Sequence, residues 1–220
     1  MPKEPTIQDM EEIGRQLACP SGSAGIEMGE TMNRSNQGMT RHSIEFLELA
    51  DHQQVLELGH GNAGHLPALL EKARGLRYRG LEISETMQRE ARQKNQSLAH
   101  CARFDLYDGE NIPFSHHTFD RIFSVNTVYF WQDPVKLLTE ISRVLKPQGL
   151  LVLGFAQKEF MEQLPFTGAP FKLYNADDVL ALTKGLPLAK PVVQNHNEKV
   201  QSKAGEWVER PYSLIKWENA

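Results

Sequence analysis

The sequence predicts an α/β fold in which helices cover both faces of a mostly parallel sheet, and three observations carry that reading. From residue 54 onward short apolar runs alternate with amphipathic helical stretches, and a glycine-rich turn joins the first run to the first helix. Leu150 to Phe155 is a continuous apolar segment of the kind that lies in the middle of a parallel sheet. A chain of 220 residues, 40% of them hydrophobic, suffices for one such domain with some decoration, and two full domains would be cramped.

The elements follow in order. Ile7, Met10, Ile13 and Leu17 recur at helical spacing, the stretch from Pro20 to Gly25 breaks the pattern, and a second helix is expected from about Thr40 to Ala50. Val55 to Leu58 is a short buried strand, Gly59 to Gly64 a glycine-rich turn, and Leu66 to Ala73 a helix stopped by Gly75. Tyr78 to Ile83 forms the second strand, Ser84 caps a helix running to about Asn95, and Ala102 to Leu106 and Phe119 to Val125 are the third and fourth strands. Asp133 and Pro134 start another helix, an N-cap acid followed by proline at the first helical position. Val135, Leu138, Ile141 and Leu145 mark its apolar face, and Pro147 and Gly149 end it before the fifth strand, Leu150 to Phe155. Asn175 caps a last helix ending near Gly185, and two candidate strands remain around Pro191–Asn195 and Trp207–Lys216. The texture changes near residue 50 and again near 156, which divides the chain into a helical N-terminal lid or cap (1–50) and an α/β domain (51–220) with a substrate-site insertion at 156–174.

A formal net charge of −4 gives no footprint for a polyanion, so nucleic acid is not expected as a partner. Cys19 and Cys101 are too few for a disulfide framework or a four-ligand zinc site. Acids occupy the N-terminal stretch where a signal peptide needs an apolar run, and no segment has the length of a membrane span. The expectation is a cytoplasmic protein that acts on a small molecule.

The chemistry concentrates in Glu57-Leu58-Gly59-His60-Gly61-Asn62-Ala63-Gly64. Glycines there let backbone approach a ligand more closely than a Cβ permits. The same spacing serves a plain strand-to-helix turn or a nicotinamide or flavin dinucleotide. Glu57 separates these readings: a carboxylate there repels a pyrophosphate, but suits a ligand with an ammonium and a sulfonium, as in S-adenosylmethionine. Glu82, at the end of the second strand, is placed to grip two ribose hydroxyls, which fits NAD equally well. Asp108-Gly109, after the third strand, can accept from an adenine amino group, or Asp108 is a loop acid facing solvent. His60 is the nearest candidate base, and equally a backbone-bonding turn residue; His65, His116 and His117 share no metal-binding face and read as surface groups.

In succession, Val55 to Gly64, Gly80-Leu81-Glu82-Ile83-Ser84, Ile112-Pro113-Phe114 with Phe119-Asp120, Asn126 to Trp131, and Leu145 to Gly149 resemble the motifs of class I S-adenosylmethionine-dependent methyltransferases, specifically the small-molecule group that includes ubiquinone and menaquinone C-methyltransferases. The likeness covers roughly residues 54–155, and departs where many relatives carry a third glycine and this chain has Ala63, whose methyl would tighten the pocket. The resemblance implies a Rossmann-like seven-stranded sheet with an antiparallel last strand. It implies that Glu57, Gly59 and Gly61 border the methionine end, with His60 in the same turn; that Glu82 holds the ribose; that Ile83 and Met87 sandwich the adenine; that Asp108 and Gly109 read its edge; and that Asn126 lies under the methyl donor. Ile83 and Met87 also suit plain core packing.

The acceptor side is less determined. Asn126 to Trp131 follows the fourth strand, where an acceptor should meet the methyl group, and its three adjacent aromatics cannot all enter one core. Tyr129 and Trp131 are the candidate acceptor contacts, with core packing the competing use, above all for Phe130 and Trp131. Phe166, Phe171 and Tyr174 offer another wall. Residues 20–42, rich in glycine and methionine, suit a lid whose Asn33 or Asn36 touches the cofactor, or a static cap. Methyl transfer from a sulfonium needs alignment and exclusion of water more than a dedicated catalytic residue. Two competing readings stand beside it: an NAD-dependent oxidoreductase, and a cofactor-binding protein without turnover.

Overall fold

The computed structural model describes residues 6–168, 170–201 and 207–220. The first five residues of the expected N-terminal segment, and Ala169 of the expected insertion, lie outside them. Seven strands form one sheet: β1 (Gln54–Leu58), β2 (Arg77–Glu82), β3 (Ala102–Leu106), β4 (Phe119–Val125), β5 (Leu145–Ala156), β6 (Leu188–Gln201) and β7 (Trp207–Asn219). Their order is β3-β2-β1-β4-β5-β7-β6, with β1 to β5 parallel and β7 antiparallel to both β5 and β6. This is the Rossmann-like arrangement with a reversed last strand that the sequence led us to expect. β1 pairs with β2 on one side and β4 on the other, so the order reverses there and a crevice opens at their carboxyl ends.

The helices are α1 (Ile7–Ala18), α2 (Gly22–Ser35), α3 (Gln37–Phe46), α4 (Leu66–Leu70), α5 (Glu85–Lys94), α6 (Pro134–Val144), α7 (Lys158–Met161) and α8 (Ala176–Leu182). Caps set several boundaries. Ser84 accepts from the Met87 N–H, Asp133 accepts from the Lys136 N–H ahead of Pro134, and Asn175 and Asp178 form a reciprocal capping box. α6 stops at Val144 rather than Leu145: Leu145 already pairs with Phe119, and an irregularity in register precedes the regular run from Leu150. α4 is a single short turn and does not reach Ala73.

The largest departure is α2: the helical pattern does break at residues 19–21, but helix resumes at Gly22, inside the stretch expected to interrupt it, and runs to Ser35. Its glycines are contact points: a Cβ at Gly25 would stand 2.7 Å from the Pro20 backbone, and one at Gly29 would stand 2.6 Å from Met87 Sδ. Close packing against α1 and α5 thus outweighs the poor helix propensity of glycine. One face of α2 is docked along its length, with the Gly22 N–H donating to Thr86, Glu30 accepting from Asn62 and Lys94, and Asn33 lying against Gly64. α3 ends at Phe46, short of the expected Ala50, and differs in character. Met39 and Leu47 are fully buried, and Arg121 Nε donates to the Leu47 carbonyl at 2.7 Å, so this helix belongs to the layer that covers β4 and β5.

Met39→Ala is therefore expected to cost about 2–5 kcal/mol in denaturant unfolding, as for other buried methionines cut to alanine. Ile7→Ala, at an 80% exposed position, should change stability by less than about 0.5 kcal/mol. Equal effects from the two would show that α3 covers the core without belonging to it.

Candidate active site

At the reversal point the chain leaves β1 through Gly59 and Gly61, both at positive φ (72° and 56°). A Cβ at Gly59 would stand 2.4 Å from Thr127 Cγ2, whereas one at Gly61 would project into open space. That space is a cavity of about 290 Å³ between the strand ends and α1 to α3. All the residues expected to meet the cofactor line it: Asn36, Glu57, Gly59, His60, Gly61, Glu82, Ile83, Met87, Asp108, Gly109 and Asn126. Ala63 does not. It is buried in the core at φ 49°, so its methyl leaves the cavity unchanged, and the glycine preferred there answers to backbone conformation.

The two strand-end acids are buried and held. Glu57 Oε2 meets His65 Nε2 at 2.8 Å and accepts from the Tyr78 hydroxyl, whose pKa burial and this carboxylate raise far above its usual value. His65 is thus a half-buried partner of Glu57 rather than the surface residue expected. Glu82 accepts three backbone N–H bonds, from Gly61 at 2.9 Å, Ile83 at 2.8 Å and Ser84 at 3.1 Å. Its carboxylate therefore ties the glycine turn to the entrance of α5. Asp108 is exposed; the Asn111 N–H, the Asn111 side chain and the Glu110 N–H hold its pKa down to about 2, so it stands ionised at the cavity edge.

Ile83 is 42% exposed, an apolar surface facing the cavity, while Met87 is buried and packs on Gly29. Burial lowers the pKa of His60; Nδ1 is 2.7 Å from the Gly61 carbonyl, the ring packs edge-on against Phe104, and buried Nε2 has no partner among the described residues. These contacts describe a wedge between turn and sheet.

A second, smaller cavity of about 170 Å³ adjoins the first, and Leu17, Met32, Asn36, Asn126 and Phe130 line both. The expected acceptor residues divide between them. Tyr129 and Phe171 line the smaller cavity, whereas Trp131 lines the larger one and donates from Nε1 to Thr127. Tyr129 is buried, and its hydroxyl lies 3.0 Å from the Ala156 carbonyl and 3.1 Å from Asn126 Oδ1, with one proton to share between them. Phe130, for which core packing was the competing use, packs against the core and is also the ring at the boundary of the two cavities. Residues 128–130 form a 3₁₀ turn, so successive side chains fan out about a third of a turn apart, and no sequence pattern says which enters the cavity. Sequence reasoning also missed Arg210. On β7 it is buried, pairs with Glu198 at 2.6 Å, and donates to Asn36 Oδ1 at 3.0 Å and to the Ser35 carbonyl at 2.7 Å.

A family profile describing a methyltransferase domain matches residues 56–153. This is the stretch that carries β1, the glycine turn and the acids. Residues 56–153 thus carry a methyltransferase domain, of the class I S-adenosylmethionine-dependent kind that the sequence resembles. It is 27% identical over 127 residues to the methyltransferase GfsG of Streptomyces halstedii, a match covering 57% of this chain and 45% of that protein. The chain thus spans less than half of that relative. Its fold resembles the YcgJ protein from Bacillus subtilis, with a TM-score of 0.70 at 18% identity over 83% of this chain and 98% of that one. It also resembles geranyl diphosphate C-methyltransferase from Streptomyces coelicolor in complex with S-adenosyl-L-homocysteine, with a TM-score of 0.68 at 14% identity over 94% and 84% of the two chains. The narrower likeness to quinone C-methyltransferases is not confirmed by these comparisons.

S-adenosylmethionine is the cofactor of this methyltransferase family, and the larger cavity fits it in one testable respect. Three carboxylates line the cavity, and no lysine or arginine does among the described residues. Such a wall favours a cationic ligand and disfavours a pyrophosphate. Glu82→Ala removes the partner of three N–H groups as well as the expected ribose acceptor. The affinity for S-adenosylmethionine, measured by calorimetry, should fall by about 1.5–3 kcal/mol. Unchanged affinity would place the ribose elsewhere.

Proposed function

We propose that this methyltransferase moves a methyl group from S-adenosylmethionine to a small-molecule acceptor by direct in-line displacement. The observation that carries the reading is the pair of contiguous cavities, one walled by acids and one by apolar side chains, meeting at Asn36, Asn126 and Phe130. When bound, the cofactor supplies an electrophilic methyl carbon. The protein's part is to orient and to exclude water: Glu57 and Glu82 face the cationic and hydroxylated portions, Ile83 and Met87 flank the base, and α1 and α2 cover the opening. A small acceptor fits the second cavity, and the geranyl diphosphate C-methyltransferase named above acts on a small molecule. α1 and α2, the outer part of residues 1–50, act as the cover, and the insertion at 156–174 supplies Phe160, Phe166 and Phe171 to the acceptor side.

Calorimetric titration with S-adenosylmethionine, S-adenosylhomocysteine and NADH tests the first half, with binding of both adenosyl ligands and none of NADH expected. Transfer of labelled methyl to a metabolite library tests the second; cofactor binding with no product in any screen would leave a binding protein without turnover. Tyr129→Phe keeps the ring and removes the hydrogen bonds to Asn126 and Ala156. It is expected to cost about 1–3 kcal/mol in stability. Turnover should fall while the calorimetric Kd for S-adenosylmethionine changes less than about threefold, since the hydroxyl stands on the acceptor side.

A further inference from the structure

The hydrogen bonds where the two cavities meet fix which polar atoms are left for an acceptor. The Ala156 N–H, which can only donate, points at Asn126 Oδ1 at 3.2 Å. Asn126 Nδ2 is therefore the atom that faces Asn36, and it donates to Asn36 Oδ1 at 3.0 Å. Arg210, also a pure donor, reaches that same Asn36 oxygen at 3.0 Å. Both amide orientations are thus dictated by groups that cannot flip. The Asn36 oxygen accepts two bonds, from Asn126 Nδ2 and Arg210, and Asn36 Nδ2 has no protein partner among the described residues. The free group of the asparagine pair is therefore a donor.

The adjoining cavity repeats the message. Its walls are Phe130, Phe160, Phe166, Phe171 and aliphatic or methionine side chains, with Thr31, Ser35, Tyr129 and the two asparagines as uncharged polar residues, and Arg210 is its only charged residue among those described. No carboxylate, imidazole, amine or thiol lines it among the described residues. Its volume of about 170 Å³ is close to the roughly 150 Å³ that holds a benzene molecule in a protein core.

Resting on the methyl-transfer reading, we propose that the smaller cavity takes an acceptor with an apolar, ring-sized body and an anionic oxygen, which Asn36 Nδ2 receives beside the methyl donor. An oxyanion suits a chamber without a base. Its lone pair forms the O–C bond as the C–S bond breaks, the C–S pair goes to sulfur, and the anion and sulfonium charges cancel, so no proton has to be removed. An ammonium would set N–H donors against the free Asn36 N–H, and both an ammonium and an unionised alcohol would need a base to release the attacking lone pair.

The test uses the full chain saturated with S-adenosylhomocysteine and three probes on one skeleton: phenylacetate, 2-phenylethanol and 2-phenylethylamine. Calorimetry should show phenylacetate binding at least about tenfold more tightly than the other two. Asn36→Asp keeps an oxygen for Asn126 and Arg210 but replaces the free amide with a second oxygen. It is expected to abolish that preference and favour the amine, with the melting temperature reporting an intact fold. Equal binding of the three probes, binding of none at millimolar concentration, or a preference unchanged in Asn36→Asp would each overturn the inference while leaving methyl transfer standing. Failure of S-adenosylhomocysteine itself to bind the native protein would overturn the methyl-transfer reading, and this inference with it.

Discussion

Beyond Leu58 the chain has to leave a strand that is hydrogen-bonded on both sides, and it must do so where Thr127 stands 2.4 Å from the place a Cβ would take. Only glycine satisfies both demands at φ 72°, and the rest of the site follows from that turn. Once the backbone turns at Gly59, the Gly61 N–H points to Glu82 at the end of the neighbouring strand. The same carboxylate takes the N–H groups of Ile83 and Ser84, so one buried acid fixes the turn, the strand end and the start of α5 relative to each other. A charge buried in this way is tolerable because its lone pairs are already engaged by fixed donors.

The cover is fastened by a different device. Arg210 donates to the Ser35 carbonyl at the last residue of α2, while its partner Glu198 lies against Gly38 in the first turn of α3, where a Cβ would stand 2.1 Å from Glu198 Oε2. The cation thus sits at a helix C-terminus and the anion at a helix N-terminus, the arrangement that both helix dipoles favour. A buried ion pair gains little stability in general, but losing one member leaves the other uncompensated. Here the pair links the β6–β7 hairpin to the two asparagines between the cavities, so the far edge of the sheet helps to set the geometry of the site.

The legible part of the sequence is the part governed by local rules. Glu57, Glu82 and Asp108 could be placed because each lies at or just past the end of a parallel strand, and strand ends are marked by short apolar runs and turn residues. The helix after Asp133 could be placed because cap and proline coincide. What escaped depends on tertiary contact. The glycines of α2 read as a break because their purpose, close approach to Pro20 and Met87, exists only in the fold. Leu145 fits the helical apolar face and the following strand equally well, and pairing with Phe119 decides. His65 read as surface because the need of buried Glu57 for a partner is invisible until Glu57 is known to be buried. Arg210 lies on the last strand with no motif around it, and antiparallel pairing with β6 and β5 alone brings it back to Asn36.

The two cavities differ in chemistry because they are built from different parts of the fold. The larger is walled by the carboxyl ends of β1 to β4 and their loops, where backbone N–H groups anchor Glu82 and side chains hold Glu57. The smaller is walled by α1, α2, the 3₁₀ turn, the segment after β5 and the β6–β7 pair; it takes Asn126 and Ala156 from the ends of β4 and β5 but none of the strand-end acids, and its lining is mostly apolar. Asn126 stands at the seam, at positive φ (57°) immediately after β4, with its N–H bonded to the Gly154 carbonyl. That conformation directs its amide sideways, toward Asn36 and the Ala156 N–H. Asparagine is among the few residues that accept this backbone shape and also carry both a donor and an acceptor. An aspartate there would have no donor for Asn36, and a glycine would leave the Ala156 N–H without its partner, so backbone strain and hydrogen-bond inventory together select the residue that stands between the two cavities.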